Sequence, residues 1–133
     1  MDSTINANTV EGVAILLWAA DPDKPELLAT PFYQAAAAAA MDVPVEIYFT
    51  ARSVHLLVVG MAEGLRASCH FDKTIGQTMQ EAHEHGAKFY VCTTALHAQG
   101  INPQNLIPEC SGHGGAVQFM ARAIDTRWRA LVF

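Results

Sequence analysis

The chain has 133 residues, 51% hydrophobic and 16% charged, the size and apolar content of one globular domain over residues 1–133. Thirteen Asp and Glu against eight Lys and Arg give a formal charge of −5 without a basic cluster, so no nucleic-acid partner is expected. No apolar run reaches membrane-spanning length, the polar opening MDSTINANTVEG lacks the basic and apolar regions of a signal peptide, and three unevenly spaced cysteines (Cys69, Cys92, Cys110) make no disulfide framework; no membrane contact is expected, and the thiols fit a reducing cytoplasm.

Residues 1–10 read as a polar lead-in. The apolar run GVAILLWA, residues 12–19, ends at the turn-rich DPDKP, the pattern of a strand covered on both faces in the middle of a sheet. Residues 25–30 hold one helical turn, then Thr30 and Pro31 read as N-cap and first position of a helix to about Met41. The six alanines at 35–40 have the highest helix propensity available and let a helix approach a sheet closely, so they predict packing. Residues 43–49, VPVEIYF, are β-branched and aromatic, with the proline near the start where a missing amide is tolerated, and read as the second strand.

From Ser53, SVHLLVVGMAEGL fits two templates. Val54, Leu57, Val58, Met61 and Leu65 share a helical face, while VHLLVVG alone suits a buried strand; the longer periodicity favours the helix. RASCHFDK is a loop. Thr74 and Gln77 form a capping-box pattern, Ile75, Met79 and Ala82 give an apolar face, and Gly86 suits the residue after a helix end. The apolar run from Phe89 then leads into Cys92, and TTALHAQ is a short helix closed by Gly100. Asn102 and Pro103 cap another turn, ECSGHGG is a loop, residues 115–125 place Val117, Met120, Ala121 and Ile124 on one helical stripe, and WRALVF closes as a strand. Alternating strands and helices imply an α/β sandwich with a mostly parallel sheet.

Cys92 is the residue with the most chemistry. A thiol where a strand ends and a helix begins meets the positive pole of that helix, which favours thiolate; the same position also suits a small apolar side chain filling a gap, and both readings stand. If ECSGHGG opens the next helix it shares an edge with Cys92, which brings Cys110 and His113 towards it, beside Thr93 and the backbone of Gly112, Gly114 and Gly115. Those glycines either offer amides to a small anion or simply turn the chain. Cys110 and His113 are spaced like metal ligands, and Cys69 with His70 add donors, but no second paired motif stands at zinc-finger spacing, so no metal is expected. His83 and His85 read as solvated, His55 as structural, His97 as facing either core or site, and Glu109 as the carboxylate nearest the site. No GxSxG, P-loop or GxGxxG pattern is present.

The segments TPFYQAAAAAA with VEIYFT, GAKFYVCTTALHAQGI and LIPECSGHGGAVQFMARA resemble the DsrE/DsrF-like family, which includes sulfur-relay subunits of the TusBCD type. The resemblance implies a three-layer α/β/α sandwich with a mainly parallel sheet of about five strands, one of them a short strand near residues 109–111. It also implies assembly as a homotrimer or hexamer, and a sulfur-accepting cysteine at a strand end, which aligns with Cys92. The function so implied is sulfur trafficking through a Cys92 persulfide, without cofactor, between sulfur-donor and sulfur-acceptor proteins or small thiols. Two other functions remain open: a non-catalytic oligomeric binding or scaffold subunit in which Cys92 only packs, and a dithiol redox protein pairing Cys92 with Cys110.

Overall fold

Strands β1 (Gly12–Leu17), β2 (Val45–Phe49), β3 (Lys88–Val91), β4 (Cys110–His113) and β5 (Trp128–Val132) form one sheet in the order β4-β3-β2-β1-β5, every pair parallel. The helices are α1 (Ala29–Ala40), α2 (Ile75–Glu84), α3 (Thr93–Ala98) and α4 (Ala116–Ala123). This computed structural model describes residues 9–133; the lead-in expected at residues 1–10 lies outside them but for its last two positions.

The strand order accounts for the layers. From β1 through β2 and β3 to β4 the chain steps one way across the sheet, so right-handed crossovers place those connections on one face. The last step, from β4 back past β1 to β5, runs the other way and places α4 alone on the opposite face. Burial follows this division. Phe32 and Ala35 of α1 and Ile75, Met79 and Ala82 of α2 join Ile15, Leu17, Ile47, Phe49, Phe89 and Val91 in the large core. On the other face Phe119 of α4 packs with Ala14, Tyr48 and Trp128. The expected three-layer sandwich is thus present, with one layer a single eight-residue helix.

The alanine run packs as expected: Ala35 is fully buried, and Phe32 on the same face lies 6.1 Å from the Phe49 ring and 6.4 Å from the Phe89 ring. Helix α1 begins earlier than expected, at Ala29, with Leu28 as N-cap and no side-chain cap; Pro31 is accommodated in the first turn, where no amide has an intrahelical partner. The middle strand is β2, buried at all five positions, while β1 is interior but next to the edge strand β5.

The stretch from Ser53 forms neither the expected single helix nor a buried strand. Two 3-10 segments, Ala51–Leu57 and Ala62–Gly64, flank Val58, which bridges antiparallel to Leu106, and Gly60, whose φ of 85° ends helical continuation. The tight first segment is held by Ser53, whose buried hydroxyl lies 2.7 Å from the Leu17 carbonyl and 2.7 Å from that of Thr50. The capping box on α2 forms as read: Thr74 Oγ1 accepts from the Gln77 amide at 3.1 Å, and Gln77 Oε1 accepts from the Thr74 amide at 2.8 Å.

Two expectations near the C-terminus are corrected. ECSGHGG is not the loop its composition suggests, since Cys110–His113 pairs with β3 as edge strand β4, the short strand that the family resemblance implied near residues 109–111. The stripe Val117, Met120, Ala121 and Ile124 faces outward, with Val117 87% and Ile124 76% exposed. Helix α4 turns Phe119 to the sheet instead, edge-on to Tyr48 at 5.5 Å between ring centroids. One large ring against a tyrosine covers more of that narrow contact than the smaller stripe residues.

Candidate functional site

Strand β3 ends at Val91 and α3 begins at Thr93, so Cys92 alone joins them, as N-cap of the helix with φ −77° and ψ 116°. Its amide donates to the Phe49 carbonyl at 2.9 Å, extending the ladder with β2, and its carbonyl accepts from the Leu96 amide at 3.0 Å, opening the helix. The thiol makes no capping bond and is half-buried at the C-terminal edge of the sheet.

There it lines a cavity of about 260 Å3. The walls are Leu16, Tyr48, Phe49 and Thr50 from the ends of β1 and β2, and Gly114, Gly115, Ala116, Phe119 and Met120 from the entry and first turns of α4. The glycine at 114 is set by close approach. A Cβ there would lie 2.9 Å from Tyr90 Cβ and 3.0 Å from Tyr48 Cε2, while the Gly114 amide donates to the Val91 carbonyl at 3.0 Å. The turn into α4 therefore runs directly over the aromatic face of the sheet.

Beneath α4 lies a polar network. The Tyr48 hydroxyl donates to Glu46 Oε1 at 2.6 Å and accepts from Gln118 Nε2 at 3.1 Å. Burial, and then the bond to Glu46, raise the tyrosine pKa well above its ordinary value, so the phenol stays neutral. Arg122 Nε and Nη2 each donate to Glu46 at 3.0 Å, and its guanidinium lies 4.0 Å over the Trp128 ring. Sequence reading missed this group; its one signal is a carboxylate within the otherwise apolar run VEIYF.

The other candidates divide. Gly114 and Gly115 share the cavity with Cys92. His113, paired in register with Val91, and Thr93 border a separate open depression that shares Gly114, Gly115 and Ala116. Cys110 pairs with Phe89, three positions before Cys92, which at about 3.3 Å per residue separates the two cysteines by roughly 10 Å along the strands. The expected approach of Cys110 to Cys92 does not occur, because β4 begins where a loop was read. Burial raises the Cys110 thiol pKa, and its Sγ lies 3.7 Å from the Gly112 carbonyl. His97 is exposed and lines none of these hollows, and Glu109 lies with Glu63 and Gln80 in a small cleft away from Cys92. His55 Nε2 lies 3.0 Å from Gln99 Oε1, a structural contact as read. Among the described residues no three His, Cys, Asp or Glu side chains are grouped to hold a metal ion, and no helix is long and apolar enough to cross a membrane.

A family model described as the DsrE/DsrF-like family matches residues 13–133. The chain belongs to that family. Solved structures share the fold of this DsrE/DsrF-like chain: the ychN protein from E. coli, at 16% identity and a TM-score of 0.68, aligns over 92% of this chain and 99% of its own. MTH1491 from Methanobacterium thermoautotrophicum, titled a protein of unknown function, aligns at 18% identity and a TM-score of 0.62 over 91% of this chain and 97% of its own. No curated protein matches the sequence.

Proposed function

We propose that this DsrE/DsrF-like chain traffics sulfane sulfur in the cytoplasm, carrying it as a persulfide on Cys92 between a donor and an acceptor. The observation that carries this reading is the position of Cys92, which alone of the three cysteines lines the cavity at the C-terminal edge of the sheet. In an open parallel α/β sheet that edge is where ligands are bound. Family membership supplies the reaction class.

The chemistry needs only this sulfur. Cys92 thiolate attacks the terminal sulfur of a donor hydropersulfide, the donor's S–S bond breaks, and its thiolate leaves as Cys92 becomes the persulfide. An acceptor thiolate then attacks the outer sulfur, and Cys92 returns to thiolate. Donor and acceptor are sulfur-carrying proteins or small thiols, and the working form is a homotrimer or hexamer. The outward stripe of α4 supports assembly, since an apolar row of that kind marks subunit contact more often than open solvent.

Intact mass of the reduced protein before and after a sulfane-sulfur donor tests the reading. A gain of about 32 Da per sulfur, absent in Cys92→Ser, is the expected result. No gain, with Cys92 slow towards alkylation, overturns it in favour of a binding or scaffold subunit in which Cys92 only packs.

A further inference from the structure

We propose that the Cys92 cavity selects sulfur carriers with a small apolar body, such as a compact alkyl or aryl hydropersulfide or thiol, over charged carriers such as glutathione. The inference rests on the sulfur-carrier reading for its chemistry but on the cavity itself for its selectivity.

Three features carry it. The walls hold no charged side chain: Leu16, Phe49, Phe119, Met120 and Ala116 are apolar, and Thr50 and Tyr48 supply the only hydroxyls. The Tyr48 hydroxyl is already engaged by Glu46 and Gln118. A carboxylate or ammonium brought inside would lose its water and find no partner. Size is the second feature. At about 260 Å3 the cavity lies just below the range of about 300–1,000 Å3 typical for drug-sized ligands, and equals the liquid volume of roughly nine waters. A benzyl or short alkyl group can be housed whole in that volume, whereas the charged ends of a tripeptide would have to stay outside it. The third is the place of the thiol. Cys92 is part of the wall, so a body packed on Phe119 and Tyr48 holds its own sulfur beside the one it reacts with.

The transfer is balanced with such a carrier, written RSSH. Cys92 thiolate bonds to the terminal sulfur of RSSH, the S–S bond of RSSH breaks, and RS⁻ leaves with the electron pair and takes a proton from water. The reverse exchange loads an apolar thiolate from the Cys92 persulfide, with no further oxidant or reductant.

The experiment has a binding arm and a rate arm. In Cys92→Ser, titration with the unreactive probe benzyl methyl sulfide, followed by NMR, is expected to show saturable binding in the millimolar range or tighter, with shifts confined to residues of the cavity. Ala116→Trp, a change at an exposed first-turn position, fills the mouth and abolishes that binding while the remaining spectrum stays folded. In the native protein, loading of Cys92 by benzyl hydropersulfide and by glutathione hydropersulfide is measured by mass, each rate divided by that with free cysteine. The normalised ratio is expected to favour the benzyl donor by at least about tenfold. Absence of saturable binding, as when a second copy of the chain plugs the cavity, overturns the proposal, and so does a ratio near one. If the probe binds but neither donor adds mass, the sulfur-carrier reading fails and the selectivity between carriers falls with it, leaving only a cavity that takes an apolar body. Equal normalised loading by both donors leaves the carrier reading intact and sinks the selectivity.

Discussion

Arg122 on α4 grips Glu46 on β2 through two hydrogen bonds of 3.0 Å, joining residues 76 positions apart across the thin layer of the sandwich. Glu46 is only 8% exposed, whereas the arginine side chain keeps 37% of its surface in water. Removing the arginine therefore strands a buried carboxylate, while losing the carboxylate leaves a cation that can still be solvated. Arg122→Ala is expected to cost about 2–3 kcal/mol, the low end for a broken buried pair because its cation is part-exposed. Glu46→Gln, which retains an acceptor for Tyr48, should cost less. Urea unfolding of the two variants checks the order, and equal midpoints would sink it.

The glycines ahead of α4 differ in what they tolerate. Gly114→Ala forces a Cβ against Tyr90 and Tyr48, and an overpacked site of this kind costs about 1–3 kcal/mol. At Gly115 an added Cβ meets nothing within 4 Å and φ is −106°, so Gly115→Ala is expected to be neutral or stabilising by up to about 1 kcal/mol. Thermal melts of the pair give the comparison, and a stable Gly114→Ala protein contradicts the close approach.

Cys110 makes stability depend on pH. Because burial raises its folded pKa, the folded thiol holds its proton more tightly than the unfolded one. Its contribution to stability is full below the ordinary thiol value of about 8.5 and declines as pH rises above it. Native protein should thus lose more stability than Cys110→Ala between about pH 7 and about pH 10. Peptide-mapped alkylation gives a second reading: Cys110 labelling should lag the half-ionisation of a free thiol and rise only at higher pH. No Cys92–Cys110 disulfide should be trapped in oxidant, since their separation along the strands exceeds the reach of about 7 Å between Cα atoms.

If the outward stripe of α4 is a subunit contact, Val117→Lys with Ile124→Lys separates the assembly without unfolding the chain. Both residues are exposed and lysine is a good helix former, so each costs the folded protomer less than about 0.5 kcal/mol. Sedimentation is expected to show a trimer or hexamer for the native protein and a single chain, with unchanged circular dichroism, for the double variant. A native protein that sediments as one chain rules the contact out.

What the sequence disclosed was local. The strand-to-helix joint at Cys92, the Thr74 and Gln77 capping box and the glycine stops at 86 and 100 are written in neighbouring residues, and each forms as read. Features that depend on distant partners were not legible. CSGH is a strand only because β3 offers it an edge, and reading it as loop misplaced Cys110. The face that α4 presents follows from the direction of the last crossover, which no periodicity in 115–125 reveals. The same holds for Glu46 and Tyr48, whose roles appear only when Arg122 and Gln118 arrive over them. Of the site, Cys92, Gly114 and Gly115 were visible as residues with special backbone or sulfur chemistry. The apolar walls were not, because Leu16, Phe119 and Met120 look like any other core side chains until the topology sets them around a thiol.

The pairing of β1 with β5 has a consequence for biosynthesis. Gly12 lies in register with Trp128, and Leu16 with Val132, so the first strand acquires its neighbour on that side only after residue 128 has been made. While the ribosome is adding the intervening chain, β1 can pair with β2, but its other edge stays open, an apolar template for any extended segment nearby. The slow step in folding should therefore be docking of the last strand, and a nascent chain stalled before Trp128 should depend on a chaperone in a way that the finished protein does not.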